Sequence, residues 1–272
     1  MNLLSPAHYN TKTAKTSRGH LDFRIVTLAL APADSSGRQV CPNATPSCVR
    51  ACVGGVNVGL ASIFPKIREA RERKTRYFFE HRAEAIAQLC AELEKEQASA
   101  DDADQTMAVR LNCFSDLRWE SKAWGQIPQR FPRALFYDYS KEYGRAPDLP
   151  DNYHVCWSWT ERPEDQAACT RLLLEGWNVA AVFATEGNFA GNAALRQTLP
   201  KRWKAPSGEI FEVVDGDRSD LRIVMPGLDP APSRSGRGKV IGLRLKSAST
   251  KSREEAMASG FAIVQGRLVG VL

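Results

Sequence analysis

The stretch FRIVTLALA (residues 23–31) is followed by a cysteine-rich segment, VCPNATPSCVRACVGG (40–55). The first stretch is a continuous apolar run rich in β-branched residues, which predicts a buried strand. The second carries Cys41, Cys48 and Cys52 at the spacing C-x6-C-x3-C. A closed structural zinc site normally takes four protein ligands, whereas an iron–sulfur cluster bound by three cysteines keeps one iron open for chemistry. We therefore predict that this loop binds a metal.

The chain has the composition of a soluble globular protein. The chain has 272 residues, long enough for one large α/β domain or two small ones. Of these residues, 43% are apolar and 25% are charged. The N-terminal arm, residues 1–22, is polar and basic without a long apolar stretch, so we expect neither a secretory signal nor a membrane anchor. The expected location is the cytoplasm. The chain has seven cysteines, an odd number. In the cytoplasm they are expected to be reduced thiols and metal ligands rather than a disulfide framework.

The charge balance is moderately basic. A formal charge of +6 and a pI near 9.0 are compatible with a nucleotide or other small-molecule substrate, or with nucleic acid as a partner. Basic residues collect at 65–76 and 233–239. In the first of these segments they alternate with Glu69 and Glu72, which is also typical of a solvated helix face. No feature of the sequence predicts the oligomeric state.

Short apolar runs recur along the chain. Apolar residues at spacings of three and four predict two helices between 63 and 96 that meet near His81, and the polar stretch 98–105 is predicted to be an exposed loop. Strand-like runs alternating with crossovers favour a parallel sheet with helices outside it. Six such runs follow the first strand, at 107–116, 133–141, 153–161, 178–186, 210–217 and 239–246.

The expected fold class is α/β, as an incomplete (β/α) barrel of mostly parallel strands. A single barrel-like domain is expected over 23–250, with the metal loop at 41–55. Residues 251–272 are expected to close the fold, with a hairpin around Gln265-Gly266.

Polar residues cluster at the carboxyl ends of the strand-like runs. A parallel sheet or barrel gathers the loops after its strands at one edge, so these clusters and the cysteine loop are expected on the same face. Strand termination is the alternative, because Ser, Thr and Asp also favour turns and caps. The clusters are Ser115 with Asp116, Ser140 with Lys141, Ser158 with Thr160 and Glu161, Thr185 with Glu186, and Asp215 with Asp217.

These positions give a candidate site. Lys141, Asp116 and Glu186 are the candidate catalytic residues. Glycines after the last cysteine let the backbone approach a cofactor closely, because they lack a Cβ. The candidate cofactor-binding residues are Gly54, Gly55, Asn112, Ser115, Asp116, Ser158 and Thr160, and the candidate metal ligands are Cys41, Cys48 and Cys52.

Zinc is the alternative metal. A Cys3His site would combine the three cysteines with one histidine, and His20 and His154 both lie close to predicted strands. Neither histidine has a diagnostic spacing. Signature motifs for nucleotide hydrolysis, serine hydrolysis, zincin proteolysis and Rossmann redox chemistry do not occur in the sequence.

Several stretches together resemble a family of uncharacterised proteins from phages and prophages. The resemblance covers most of the chain and implies a viral or mobile-element origin and a cysteine-bearing α/β protein, without implying a substrate. The stretches are NTKTAKTS (10–17), ALAPADSSG (29–37), VCPNATPSC (40–48), RERKTRYFFEHR (71–82), RLNCFSDLRWE (110–120), FYDYSK (136–141), VDGDRSDLR (214–222) and GKVIGLRLKS (238–247).

The expected architecture is also similar to that of radical S-adenosylmethionine enzymes. Those enzymes are partial or full barrels whose three-cysteine [4Fe-4S] loop follows the first strand. Their usual spacing is C-x3-C-x2-C, so the resemblance lies in architecture and ligand number. It implies an enzyme with S-adenosylmethionine as a cofactor. A nucleotide or nucleic-acid-related substrate fits the basic charge and the resemblance to phage proteins. Two alternatives stay open: a zinc-stabilised, non-enzymatic nucleic-acid-binding or host-takeover protein, and a metal-free interaction protein with buried cysteines.

Overall fold

The computed structural model describes residues 1–6, 18–55, 58, 60–185, 198–223, 236–246 and 250–264. The strands are β1 (Leu4–Pro6), β2 (Phe23–Leu28), β3 (Thr106–Arg110), β4 (Leu135–Ser140), β5 (Tyr153–Ser158), β6 (Val179–Ala184), β7 (Arg202–Lys204), β8 (Ile210–Asp215), β9 (Val240–Arg244) and β10 (Ala262–Val264). The α-helices are α1 (Pro46–Arg50), α2 (Leu60–Ile63), α3 (Pro65–Glu80), α4 (Arg82–Asp102), α5 (Ile127–Arg130), α6 (Pro163–Leu174) and α7 (Thr250–Ala258). Two 3-10 helices span Lys122–Trp124 and Tyr143–Asp148.

The strands form one mostly parallel sheet. Its order is β1-β2-β3-β4-β5-β6-β9-β8-β7, and β10 pairs with β6 in addition. Five consecutive strands, β2 to β6, are neighbours in chain order and parallel. The short strands β1 and β7 end the sheet, each antiparallel to its neighbour, and the sheet does not close within the described part of the chain.

The main core lies on one face of this sheet. Phe78 of α3, Leu89 and Leu93 of α4, and Leu172 of α6 pack in the same cluster as alternate strand residues such as Val109. The pattern follows from the sequence, because apolar residues at spacings of three and four form one helix stripe, while every second strand residue points to the same side. The break at His81 between α3 and α4 confirms the predicted junction.

The opposite face is covered by the segment 216–223. Leu221 and Ile223 pack there against Ile25, Ala108 and Tyr137.

Arginines neutralise the aspartates of this segment. Arg110 and Asp220 form a salt bridge of 2.8 Å between NH1 and Oδ2, and Arg222 donates to the Tyr139 hydroxyl. Arg244 pairs with Asp215, with 2.8 Å between NH1 and Oδ1. Asp215 at the end of β8 and Asp220 after it are thus paired with arginines of the sheet.

Two segments, 98–105 and the N-terminal arm, contain more regular structure than the sequence predicts. The stretch 98–105 is not an exposed loop up to its end, because α4 continues to Asp102 and Ala100 is fully buried. Alanine is the best helix former, and it outweighs the aspartates around it. The predicted N-terminal arm supplies β1, and Leu3 lies in the core. The hairpin expected around Gln265-Gly266 lies outside the described residues. In the described ranges, no helix has the length and apolar character that a bilayer crossing requires.

Candidate functional site

The cysteine loop follows β2 and is held at Cys41 and at the start of α1. Thr45 caps this short helix: its hydroxyl accepts a hydrogen bond from the Cys48 backbone N–H at 3.0 Å and donates to Glu161 Oε2 at 3.0 Å. Thr45 is fully buried. Cys41 Sγ donates to the Phe114 carbonyl, 3.3 Å away, in the loop after β3. The loop is therefore tied to the carboxyl ends of β3 and β5.

The end of the loop packs tightly against Phe114. A Cβ at Gly54 would lie 2.3 Å from Phe114 Cγ, so only glycine fits there. Arg71 of α3 donates to the Gly54 carbonyl at 2.8 Å and lies over the Phe114 ring, 4.2 Å from its centroid. The backbone N–H of Gly55 donates to the Cys52 carbonyl at 3.0 Å. In this structure the two predicted cofactor-binding glycines close the turn after Cys52.

We expect Gly54→Ala to destabilise the protein by about 1–3 kcal/mol, because the new methyl group collides with Phe114 and the loop must shift. Urea denaturation measures the loss. Gly144→Ala is the matched control, since a Cβ at Gly144 meets nothing within 4 Å. If Phe114→Ala does not restore part of the stability in the Gly54→Ala background, the collision is not the cause.

The three thiols and Lys141 interact electrostatically. Burial, followed by the neighbouring Cys52, Asp116 and Cys48, raises the pKa of Cys41 to about 12, and burial also raises the pKa of Cys52. Burial alone would lower the pKa of Lys141, but a hydrogen bond to the Cys48 side chain and the charges of Cys48 and Asp116 outweigh it and raise the pKa. Cys41 is thus a neutral thiol at pH 7, and a metal that binds there must displace its proton.

The described residues contain no group of three or more His, Cys, Asp or Glu side chains arranged to hold a metal ion. The two histidines considered for a zinc site lie at the amino ends of the strands, whereas the cysteine loop lies at their carboxyl ends. His20 precedes β2, and its Nε2 atom lies 3.4 Å from Ser219 Oγ. His154 is at the start of β5. A six-residue strand is about 20 Å long, so neither histidine is near the cysteine loop.

Asp116 connects the ends of β3 and β4. Its backbone N–H donates to the Val40 carbonyl at 2.7 Å, which ties it to the cysteine loop. Its Oδ2 accepts from the Lys141 backbone N–H at 2.9 Å, and its Oδ1 lies 3.6 Å from Arg145 NH1. Arg145 also binds Glu120, with 2.9 Å between NH2 and Oε2. Asp116 therefore positions Lys141 and belongs to a buried ion-pair network.

Asn112 and Ser115, two predicted cofactor contacts, organise the loop after β3. The Asn112 amide donates to the Leu117 carbonyl at 2.9 Å, and its oxygen accepts from Ser115 Oγ at 2.8 Å and from Trp119 Nε1 at 3.0 Å. Asn112 is 2% exposed. The side chains of both residues are thus engaged in holding Asp116 and Trp119 in place.

Polar groups at the end of β5 bond to the start of α6 and to Tyr143. Thr160 is buried and donates to Asp165 Oδ2 at 2.6 Å, which stabilises the start of α6. Ser158 is half-buried, and its carbonyl accepts from the Tyr143 hydroxyl at 2.8 Å. Glu186 lies outside the described residues. Of the predicted pocket residues, Lys141 interacts with Cys48, and Ser158 ends β5, three residues before Glu161, the partner of Thr45.

Four residues of this site were missed by the sequence reasoning: Thr45, Glu120, Arg145 and Glu161 as loop and network partners. The signal for Thr45 was present, because threonine directly before proline is a typical N-cap. Glu161 belongs to a polar strand end in the sequence, but no local pattern indicates its partner. Arg145 and Glu120 are 25 residues apart, and no local pattern joins them.

Beneath the site, Asp138 of β4 is a buried carboxyl group that titrates near neutrality. Burial raises its pKa from 3.8 to about 7, although Arg110 and hydrogen bonds from Tyr153 and Asn112 oppose this. Because the folded state favours the protonated form, the stability from this group is complete below about pH 4 and is lost as the pH rises to about 7.

We therefore expect Asp138→Asn to flatten the pH dependence of stability between pH 4 and 7. The difference between wild type and variant should change by at most about 1.4 kcal/mol per pH unit in that window. Urea denaturation in a pH series measures it. The matched control, Asp148→Asn, changes a carboxylate whose side chain is 69% exposed. Parallel curves for Asp138→Asn and wild type would contradict the assignment.

Comparison with known proteins gives one family. No curated protein and no solved structure matches the chain. The family model described as Gene product 88 matches residues 2–257, which is nearly the whole chain and includes every candidate site residue. The chain therefore belongs to the Gene product 88 family.

Proposed function

We propose that this protein is an iron–sulfur enzyme of the radical S-adenosylmethionine type, encoded by a phage or mobile element and active in the host cytoplasm. In this proposal Cys41, Cys48 and Cys52 hold a [4Fe-4S] cluster. The observation that carries it is the electrostatic interaction among these three thiols and Lys141 at the carboxyl edge of a parallel sheet. The thiols must rearrange to hold the cluster, because the described side chains are not arranged for a metal ion.

The winding of the sheet supports a barrel-like architecture. Doubly wound sheets reverse their strand order at the point where the ligand binds, whereas barrels add each strand beside the previous one. Strands β2 to β6 follow the second pattern, whereas beyond β6 the order reverses to β9-β8-β7. Helices α3, α4 and α6 all pack on one face, as they would outside a barrel. The support for an incomplete (β/α) barrel therefore comes from β2 to β6 alone.

The donor set suits an iron–sulfur cluster chemically. Iron–sulfur clusters are bound by cysteine thiolates, and three protein ligands leave one iron free. Lys141 lies beside the thiols, and its positive charge offsets the negative charge that three thiolates bring into a half-buried site. The positions of His20 and His154 do not favour the alternative Cys3His zinc site.

When bound, such a cluster supplies the electron for reductive cleavage of S-adenosylmethionine. The residues of this chain would have separate tasks around it. Thr45 and Glu161 fix the cysteine loop against the sheet, and Asp116 holds the backbone of Lys141. Lys141 and Ser158 would line the pocket for a nucleotide or another small molecule.

Metal analysis of protein purified without oxygen tests this function. We expect about four irons and as many sulfides per chain, with the brown colour of an iron–sulfur protein. One zinc and no colour would contradict the proposal and favour the zinc-stabilised nucleic-acid-binding protein. A protein without metal, whose fold is unchanged by chelators and thiol reagents, would contradict both.

A further inference from the structure

Exposed apolar side chains concentrate near the cysteine loop. Eight large hydrophobic residues are exposed in the part of the chain that the structure describes, and four of them lie in the loop or just before α3. These four are Val49, Val53, Ile63 and Phe64, with exposed fractions from 41% to 67%. Such a concentration is typical of a binding surface, whereas single exposed hydrophobic residues need no explanation.

Helix geometry brings part of α3 to the same side as the loop. Phe64 is the N-cap of α3, and Arg68 and Arg71 follow it by four and seven residues, a spacing that aligns positions on one side of a helix. Arg71 contacts Gly54, the second residue after Cys52. The surface that bears Phe64 and Arg68 is therefore continuous with the cysteine loop.

This surface is basic. Helix α3 carries six lysines and arginines and three glutamates, a net charge of +3. The ion pair of Arg68 with Glu72 has 3.8 Å between its charged atoms, and the Arg68 side chain is 44% exposed, so water screens it. Arg50, in the last turn of α1, is also exposed. We call Val49, Arg50, Val53, Phe64 and Arg68 the basic rim.

We propose that the basic rim binds single-stranded nucleic acid and presents it to the carboxyl edge of the sheet. Single strands are bound by aromatic side chains that stack on bases together with arginines that contact the phosphates. Phe64 supplies the ring, and Arg50 and Arg68 supply the charges. Binding at the basic rim needs no cluster. Only a reaction on the bound strand rests on the proposed function, because that reaction would need the cluster and S-adenosylmethionine.

Fluorescence anisotropy with a labelled 12-nucleotide oligothymidylate, across a salt series, tests this proposal. Phe64→Ala should weaken binding at least about five-fold without changing the salt dependence, because it removes stacking alone. Arg50→Gln with Arg68→Gln should make the slope of log affinity against log salt shallower by about 1.4, since each lost phosphate contact removes about 0.7. Ile210→Ala and Arg171→Gln are matched controls, with residues 50% and 63% exposed on other elements.

Three results would overturn the proposal: no salt-dependent binding by the wild-type protein, equal losses in the control variants, or equal affinity for a duplex of the same length. The cluster is tested separately by repeating the titration with Cys48→Ala. We expect unchanged oligonucleotide affinity in this variant. An iron-free wild-type protein that still binds the oligonucleotide at the rim would refute the enzyme proposal alone, whereas an iron-loaded protein that does not bind would refute the rim alone.

Discussion

Cys48→Ala protein, purified without oxygen, should contain almost no iron, whereas the wild type should contain about four irons per chain. Cys48 is one of three proposed ligands, and its side chain is the one that Lys141 contacts. Its removal leaves only Cys41 and Cys52 as thiol ligands. Two such ligands cannot retain the cluster. Iron content and visible absorption measure the loss.

The matched control is Cys90→Ala. Cys90 is a buried cysteine that lies on α4, where Arg130 NH1 is 3.5 Å from its sulfur, whereas Cys48 is half-buried. This variant should keep the iron content of the wild type. Full iron in Cys48→Ala would refute the ligand assignment. Equal loss in both variants would indicate that the cysteine changes act through folding.

Arg145→Met should cost about 3–5 kcal/mol of the free energy of unfolding, the largest stability effect expected in this chain. Arg145 is 1% exposed, its NH2 lies 2.9 Å from Glu120 Oε2, and its NH1 lies 3.6 Å from Asp116. Methionine has a similar volume but no charge, so Asp116 would lose its ion-pair partner and Glu120 would keep only Arg118, a half-exposed arginine whose Nε lies 3.4 Å from Oε1. Because Asp116 also holds the Lys141 backbone, the cysteine site should be disturbed as well.

Urea denaturation of the metal-free protein measures this cost without interference from a cluster. Arg133→Met is the matched control, because the Arg133 side chain is 71% exposed although it pairs with Asp101 at 3.0 Å. It should change stability by less than about 0.5 kcal/mol. A loss below about 1 kcal/mol in Arg145→Met would show that Glu120 and Asp116 do not depend on this arginine.

The parts of the fold that the sequence predicted are those with a local signal. All seven predicted strands occur, because each is an apolar run bounded by polar residues. The carboxyl-edge position of the cysteine loop followed from its place after β2. The junction between α3 and α4 at His81 also has a local signal, because the stripe of apolar residues shifts there.

The parts that could not be predicted depend on contacts between distant residues. Thr45 bonds to Glu161 across 116 positions, and Arg110 bonds to Asp220 across 110. The sequence predicts Asn112 as a cofactor contact because a polar residue after a strand suits a cofactor site as well as a turn. Only its three partners in the folded loop, Leu117, Ser115 and Trp119, show that its amide is used internally.

The most direct test of the central claim is the electron paramagnetic resonance spectrum of the reduced protein, recorded before and after addition of S-adenosylmethionine. We expect a signal from a reduced [4Fe-4S] cluster, and we expect the shape of this signal to change when S-adenosylmethionine binds at the open iron. The same change should be absent in Cys48→Ala. A cluster signal that S-adenosylmethionine leaves unchanged would contradict the radical-enzyme account, and a reduced protein without any iron signal would contradict the cluster itself.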